Sequence, residues 1–90
     1  MAQAIVDPAE LRRFAGSLKR FNGELRSGLG ALHSQMLSLA ETWRDQEEQR
    51  FVQEFEQTLQ VLEKFMDAND LHIPFLLRKA ERIEEYLSQR

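Results

Sequence analysis

The chain has 90 residues, a net charge of −3 and no cysteine. Ninety residues form one domain at most, and the missing thiols exclude a disulfide framework, a thiolate metal site and a cysteine nucleophile. The acidic balance disfavours nucleic acid as a partner. No apolar run reaches the roughly 20 residues that a membrane span needs. The abundance of helix-favouring residues predicts an all-α protein.

A first helix is predicted over residues 8–40. Asp7 stands at the N-cap position, Pro8 at the first helical position and Glu10 three residues after the cap, where it can reach back to the cap residue. Apolar residues then recur in steps of three and four, which is the spacing of one helix face. This stripe consists of Leu11, Phe14, Leu18, Phe21, Leu25, Leu29, Leu32, Met36, Leu39 and Trp43.

A turn is predicted over residues 41–45, where the single Trp of the chain stands two residues before Asp45. Asp45 and Glu48 repeat the spacing of Asp7 and Glu10, so we expect Asp45 to cap a second helix that begins at residue 46. Phe51 and Phe55 are expected to be buried against the first helix, near Met36 and Leu39.

The second helix is predicted over residues 46–88. Because Pro74 removes one helical hydrogen bond and disfavours a helical residue before it, we expect a kink or a one-turn break near residues 70–74. The apolar register passes through this point unchanged, so the same face stays inward. The stripe consists of Phe51, Phe55, Leu59, Leu62, Met66, Asn69, Ile73, Leu76, Ala80, Ile83 and Leu87.

The charge distribution favours an antiparallel hairpin. Residues 1–45 carry six basic and five acidic groups, a net of +1, and residues 46–90 carry six and ten, a net of −4. A short turn between two long helices also favours antiparallel neighbours. In this arrangement four basic residues approach three acidic ones: Arg12, Arg13, Lys19 and Arg20 lie near Glu81, Glu84 and Glu85.

Two helices alone cannot cover the apolar surface of this sequence. Phe65, Phe75 and Tyr86 lie beside the main stripe, and a single small core rarely supplies enough stability. We therefore expect two hairpins to associate into a four-helix bundle, as a homo- or heterodimer, with these residues at the protein-binding surface. Gly16 and Gly23 belong to a row of small residues that either lets another helix approach closely or is a tolerated solvent face.

The two similar helices and the central Trp resemble the WXG family of small early-secreted-antigen-like proteins linked to type VII secretion. Trp43 matches the Trp of the motif and Phe51 the aromatic residue eight positions later, while Asp45 stands in place of the turn Gly. The resemblance implies that Trp43 contributes to a surface read by a partner; the alternative is that it covers the end of the core. The family's C-terminal export signal is incomplete, because Arg90 stands four residues after Tyr86 instead of an acid.

No pattern for catalysis, a metal or a cofactor is present. His33 and His72 are far apart, and no phosphate loop or nucleophile motif occurs. The sequence therefore predicts a non-enzymatic protein of the WXG type that acts through helix-mediated protein binding, without a small-molecule substrate. It would be a secreted factor, or a partner or chaperone in a type VII-like system, exported without a cleavable signal peptide. The alternative is a cytoplasmic helical-bundle adaptor that is not exported.

Overall fold

The computed structural model describes residues 6–89 as a hairpin of two helices. Helix α1 spans Pro8–Thr42 and helix α2 spans Glu48–Ser88. Arg12 near the start of α1 contacts Glu84 near the end of α2, which shows that the helices are antiparallel. The predicted all-α hairpin is confirmed, and its principal-axis extents are 70 × 18 × 15 Å.

Helix α1 begins at the predicted cap. Asp7 has extended backbone, and its side chain accepts a hydrogen bond of 2.9 Å from the backbone N–H of Ala9. The carboxylate of Glu10 does not reach back as expected; it lies 3.2 Å from the Arg13 guanidinium, one turn along the same helix. The helix ends at Thr42, two residues beyond the predicted end.

We expected a kink or a one-turn break near residues 70–74; helix α2 continues through Pro74 without interruption, so the break does not occur. Proline has no N–H, and the carbonyl of Asp70 therefore loses its usual helical donor. Buried residues lie on both sides of this point, with Met66 before it and Ala80 after it. The same face of α2 therefore packs on α1 before and after Pro74.

The contact line between the helices, here called the seam, lies one position away from part of the predicted α1 stripe. Ala15 and Asn22 are buried, whereas Phe14 and Phe21, each one residue earlier, are 60% and 50% exposed. Small and medium side chains at the seam let the two helices approach, and the bulky rings lie beside it. The expectation that the whole stripe faces inward was wrong; its exposed members are Phe14, Phe21, Leu32 and Leu39.

The hairpin has little core of its own. Its accessible surface is 7250 Å², whereas a compact protein of 10.6 kDa exposes about 5,500 Å². The radius of gyration is 20.3 Å, against about 12 Å for a compact domain of this length. A rod only two helices wide thus leaves about 1,800 Å² more surface in water than a compact monomer does.

Candidate interaction surfaces

The hairpin has two long sides, one on each side of the seam. Successive helical residues are about 100° apart, so the residues before and after a buried seam position point to opposite sides. Around the buried Asn22, Phe21 points to one side and Gly23 to the other. The chemistry of these two sides differs along most of the rod.

One side, here called the aromatic flank, consists of Phe14, Phe21, Phe65, His72 and Phe75. The rings of Phe21 and Phe65 meet edge to face across the helices, with centroids 6.3 Å apart and an interplanar angle of 85°. Beside them lies an open groove of about 470 Å³. It is lined by Phe14, Leu18, Phe65, Asn69, His72, Phe75 and Leu76.

The opposite side, here called the polar flank, is spanned by three pairs of charged or polar side chains. Arg12 binds Glu84 through two hydrogen bonds of 2.7 and 2.9 Å. Farther along, Arg26 lies 3.4 Å from Asp70. The last pair is His33 and Glu56, whose side chains lie 3.3 Å apart.

The pair of Arg12 and Glu84 is the one that the charge distribution predicts. The hydrogen bond from Arg12 lowers the pKa of Glu84; desolvation opposes this effect, and the positive charge of Arg12 adds to it. The carboxylate of Glu84 in turn raises the pKa of Arg12, first through the hydrogen bond and then through its charge. Both side chains are more than 40% exposed, and exposed ion pairs contribute little to stability. Arg13 and Arg20 do not cross to α2: Arg13 lies against Glu10, and Arg20 donates to Ser17.

Two buried asparagines join the helices near the middle of the rod. The Asn22 amide donates to the backbone carbonyl of Met66 and to the carboxylate of Asp70, each at 3.1 Å. Its oxygen accepts a 3.0 Å hydrogen bond from the amide of Asn69. Buried amides bond well in only one alignment of the helices, so this cluster fixes their register. Asn69 belonged to the predicted stripe of α2. Asn22 belonged to neither stripe, and the only sign in the sequence that it is buried is its position next to Phe21 of the α1 stripe.

Asp45 organises the corner, residues 43–47, in a different way from the one predicted. One oxygen of its carboxylate accepts hydrogen bonds from the indole N–H of Trp43, at 2.7 Å, and from the backbone N–H of Glu47, at 2.9 Å. Glu47, not Asp45, occupies the N-cap position of α2, and its own side chain makes no cap bond. Within residues 6–89 no residue has a positive φ, so Asp45 needs no glycine-like backbone to make this turn.

Aromatic side chains form a stack at the corner. The rings of Trp43 and Phe51 have centroids 5.4 Å apart, and those of Phe51 and Phe55 are 5.6 Å apart and nearly parallel. Trp43 and Phe55 are half-buried. Phe51, however, is 36% exposed, so the expectation that it is buried against α1 was wrong for a single hairpin.

The predicted protein-binding residues fall on different surfaces. Phe65 and Phe75 line the groove of the aromatic flank, and Tyr86 is exposed near the end of α2. Gly16 and Gly23 lie on the other side of the seam. A Cβ on Gly23 would meet nothing within 4 Å, and one on Gly16 would approach only the end of the Arg20 side chain. Contact between α1 and α2 therefore does not require these glycines.

Two further features bear on function. Over residues 6–89 no group of three or more acidic, His or Cys side chains is arranged to hold a metal ion. Neither described helix contains a stretch apolar enough to cross a membrane. Arg90, which interrupts the export pattern after Tyr86, lies outside the described residues.

Comparison with known proteins relates both the sequence and the hairpin to one group. The model of the WXG100 family, proteins of 100 residues with WXG, matches residues 3–86. The structure of EsxB, a secreted protein of Bacillus anthracis, matches with a TM-score of 0.79 and 29% identity over 91% of this chain and 88% of that one. Its selenomethionine form matches with a TM-score of 0.79 and 28% identity, over 96% and 98%. No curated protein matches the sequence.

Proposed function

Because this chain belongs to the WXG100 family, and is therefore a non-enzymatic helical hairpin, we propose that it functions by binding a second hairpin protein through its aromatic flank. The second protein is another copy of the chain or a related hairpin. Side-by-side association of two such rods produces a four-helix bundle.

The observation that carries this proposal is the difference between the two sides. On the polar flank, ion pairs connect α1 to α2 within one chain. On the aromatic flank, the exposed rings of Phe14, Phe65 and Phe75 surround an open groove. A contiguous apolar surface of this kind marks an interaction site. The excess surface of about 1,800 Å² is more than the roughly 800 Å² that each partner contributes to a standard interface.

The corner supplies a second contact surface in this proposal. Trp43 and Phe51 form an aromatic stack that remains partly exposed, and the Asp45 carboxylate holds the indole in one orientation. Aromatic side chains with restricted rotamers make good anchors because little conformational entropy is lost on binding. The corner is thus available to a partner that approaches the end of the bundle.

Export in a type VII-like system is the cellular role that we propose for this module, as a secreted factor or as a partner of one. The similarity to EsxB, a secreted protein, supports this role. The alternative is an adaptor that stays in the cell, and one feature of the sequence favours it. Arg90 stands four residues after Tyr86, where the family's export signal has an acid.

Sedimentation equilibrium of the purified full-length chain tests the association. At micromolar concentration we expect twice the monomer mass of 10.6 kDa. If the chain is monomeric alone, the same experiment with a hairpin protein captured from its own cells distinguishes a heterodimer from no association. A folded monomer that binds neither itself nor such a protein contradicts the proposal.

Fractionation of the native cells tests export. We expect the full-length chain in the culture supernatant while a cytosolic enzyme remains in the pellet. Retention of all of the chain with that marker would contradict export and support the adaptor. Replacing Arg90 by Glu completes the acidic pattern after Tyr86, and increased export of this variant would identify the missing acid as the limiting feature.

A further inference from the structure

The buried residue Asn22 is followed directly by Gly23, and this dipeptide is chemically labile in an open chain. The side-chain amide of an asparagine is attacked most readily by the backbone nitrogen of a following glycine, because glycine has no Cβ to hinder the approach. The chain has one other asparagine, Asn69, and the residue after it is Asp70. Asn22 is therefore the asparagine of this sequence that is more prone to deamidation.

Contact between the two helices does not explain the glycine. A Cβ on Gly23 would meet nothing within 4 Å, and glycine in a helix interior is less favourable than alanine. Asn22, in contrast, is only 5% exposed and joins α1 to α2. The hairpin thus depends on a buried amide whose neighbour makes it labile, although the packing of α1 on α2 does not require that neighbour.

The folded hairpin holds Asn22 in a geometry that prevents the reaction. Its amide nitrogen donates to Met66 and Asp70, and its amide oxygen accepts from Asn69. Ring closure would require the Cβ of Asn22 and the nitrogen of Gly23 to lie nearly eclipsed about the Cα–C bond, and the helical ψ of about −42° keeps these two atoms apart. The N–H of Gly23 also donates to the carbonyl four residues earlier in the helix.

We propose that Asn22 is a site of spontaneous deamidation whose rate is set by opening of the hairpin, with water as the co-reactant. In the open chain the nitrogen of Gly23 loses its proton to solvent and bonds to the side-chain carbonyl carbon of Asn22. The C–N bond of the side-chain amide then breaks, and its nitrogen accepts a proton and leaves as ammonia. Water opens the resulting succinimide ring, and the ring nitrogen regains a proton. The net reaction consumes one water, releases one ammonia and leaves a carboxyl group.

Both products of the reaction prevent the hairpin from closing as before. Attack of water at the side-chain carbonyl gives aspartate, and attack at the backbone carbonyl gives isoaspartate, which adds one carbon to the backbone of α1. In either product a carboxylate replaces an amide nitrogen that lies 3.1 Å from the Met66 carbonyl and 3.1 Å from the Asp70 carboxylate. A buried charge that faces only acceptors is costly. Prolonged opening of the hairpin therefore becomes a permanent loss of the asparagine cluster.

Peptide mapping by mass spectrometry tests the site, on full-length chain incubated at neutral pH in native buffer and in urea. We expect aspartate and isoaspartate to accumulate at position 22 in urea, and Asn22 to persist in native buffer. Asn69 is the internal control, because it is buried in the same cluster but is followed by Asp70, whose side chain hinders the attack. Gly23→Ala is the matched variant; its Cβ has free space, so the hairpin folds, and Asn22 is expected to persist even in urea.

Two further variants test the dependence on opening and the consequence of the modification. Asn69→Ala removes one partner of Asn22 and raises the population of open chains, so deamidation in native buffer is expected to be about tenfold faster than in wild type. Asn22→Asp reproduces one product, and we expect a lower midpoint of urea unfolding or a loss of helicity by circular dichroism.

Four results would overturn the proposal: equal rates of deamidation in native buffer and in urea, persistence of Asn22 in urea, a rate in Gly23→Ala equal to that of wild type, or an Asn22→Asp variant as stable as wild type. The site lies within one hairpin, so none of these results decides whether two hairpins associate.

Discussion

The two long sides of the hairpin carry different chemistry although the same two helices supply both. On the polar flank, Arg12, Arg26 and their acidic partners span the seam. On the aromatic flank, phenylalanines of both helices lie beside the seam and stay largely exposed. The polar flank therefore completes its contacts within one chain, whereas the aromatic flank leaves an apolar surface uncovered.

The two flanks therefore have different roles: the polar flank favours one orientation of the two helices, and the aromatic flank favours association with a second molecule. Exposed ion pairs contribute little free energy, but pairs placed at matching positions on two helices favour one antiparallel arrangement. The aromatic flank has little of its apolar surface buried within the hairpin. Covering it with a second molecule would stabilise the complex by about 25 cal/mol for each Å² of apolar surface removed from water. The four variants below test this separation.

The largest effect is expected for Phe75→Ala on the aromatic flank. Truncation of a central aromatic residue in an interface costs about 2–4 kcal/mol of binding free energy, so the dimer is expected to dissociate more than tenfold more readily. Leu71→Ala is the matched control, because Leu71 is 74% exposed on the same helix and does not line the groove. Equal losses from the two variants in sedimentation would show that the groove is not the interface.

Asn22→Ala is expected to act within the hairpin, with the next largest effect. It leaves the buried amide of Asn69 without its acceptor, and an unsatisfied buried group costs about 1–3 kcal/mol. Urea unfolding measures the loss. The double variant Asn22→Leu/Asn69→Leu removes both amides and is expected to recover most of the stability. A single variant as stable as wild type would show that the asparagine cluster does not stabilise the hairpin.

A smaller loss is expected for Asp45→Ala at the corner. Its carboxylate oxygen accepts two hydrogen bonds, and their removal from a largely exposed site is expected to cost about 1–2 kcal/mol. Asp45→Asn retains an acceptor and is expected to lose less. Trp43 is the only Trp, so its fluorescence reports the change directly. An unchanged emission spectrum and midpoint of unfolding in the Ala variant would contradict this role of Asp45.

The smallest effect is expected for Glu84→Gln on the polar flank, and it depends on pH. Because Arg12 lowers the pKa of Glu84 in the folded chain, the carboxylate stabilises the fold above the ordinary pKa of a glutamate, about 4.3. This contribution is lost as the pH falls through the lower folded value. Wild type and variant are thus expected to differ at neutral pH and to converge in acid, once the pH has fallen below the lowered pKa of Glu84 in the folded chain.

Glu85→Gln is the control for this pH dependence, since Glu85 is the neighbouring acid on the same helix and is exposed. Urea unfolding across the pH range should show convergence with wild type for Glu84→Gln alone. A difference between wild type and Glu84→Gln that stays constant into acid would mean that the ion pair is not its cause. High salt should also reduce the difference, because exposed charges are screened.

Periodicity predicted the elements of this fold well but placed the seam imprecisely. A stripe with steps of three and four defines a face of α1. It does not decide which of two adjacent residues lies at the centre of the contact, because the two are only about 100° apart around the helix axis. The sequence therefore suggested Phe14 and Phe21 as core residues because they are the more apolar members of each pair. The structure buries Ala15 and Asn22 instead, since two helices approach most closely where the side chains are smaller.

The corner and the asparagine cluster were predicted in part. The sequence placed the turn and selected Trp43, Asp45 and Phe51, but it assigned Asp45 to the cap of α2 by analogy with Asp7. The two sites differ because Asp7 bonds a helical N–H at the start of α1, whereas Asp45 bonds the indole of Trp43 and the N–H of Glu47 before α2 begins. Helical periodicity does not predict a hydrogen bond between two side chains of a turn, such as that of Trp43 and Asp45.

The sequence by itself determined that the chain makes two long amphipathic helices joined near its middle, because helix propensity, apolar spacing and the Asp7–Pro8 start are local properties. It also determined that apolar residues exceed what one partner helix can cover. The tertiary structure alone decided which residues face the partner helix, which side carries the ion pairs and which side stays open. These features depend on the relative rotation and register of α1 and α2, which arise from contacts between residues distant in the chain.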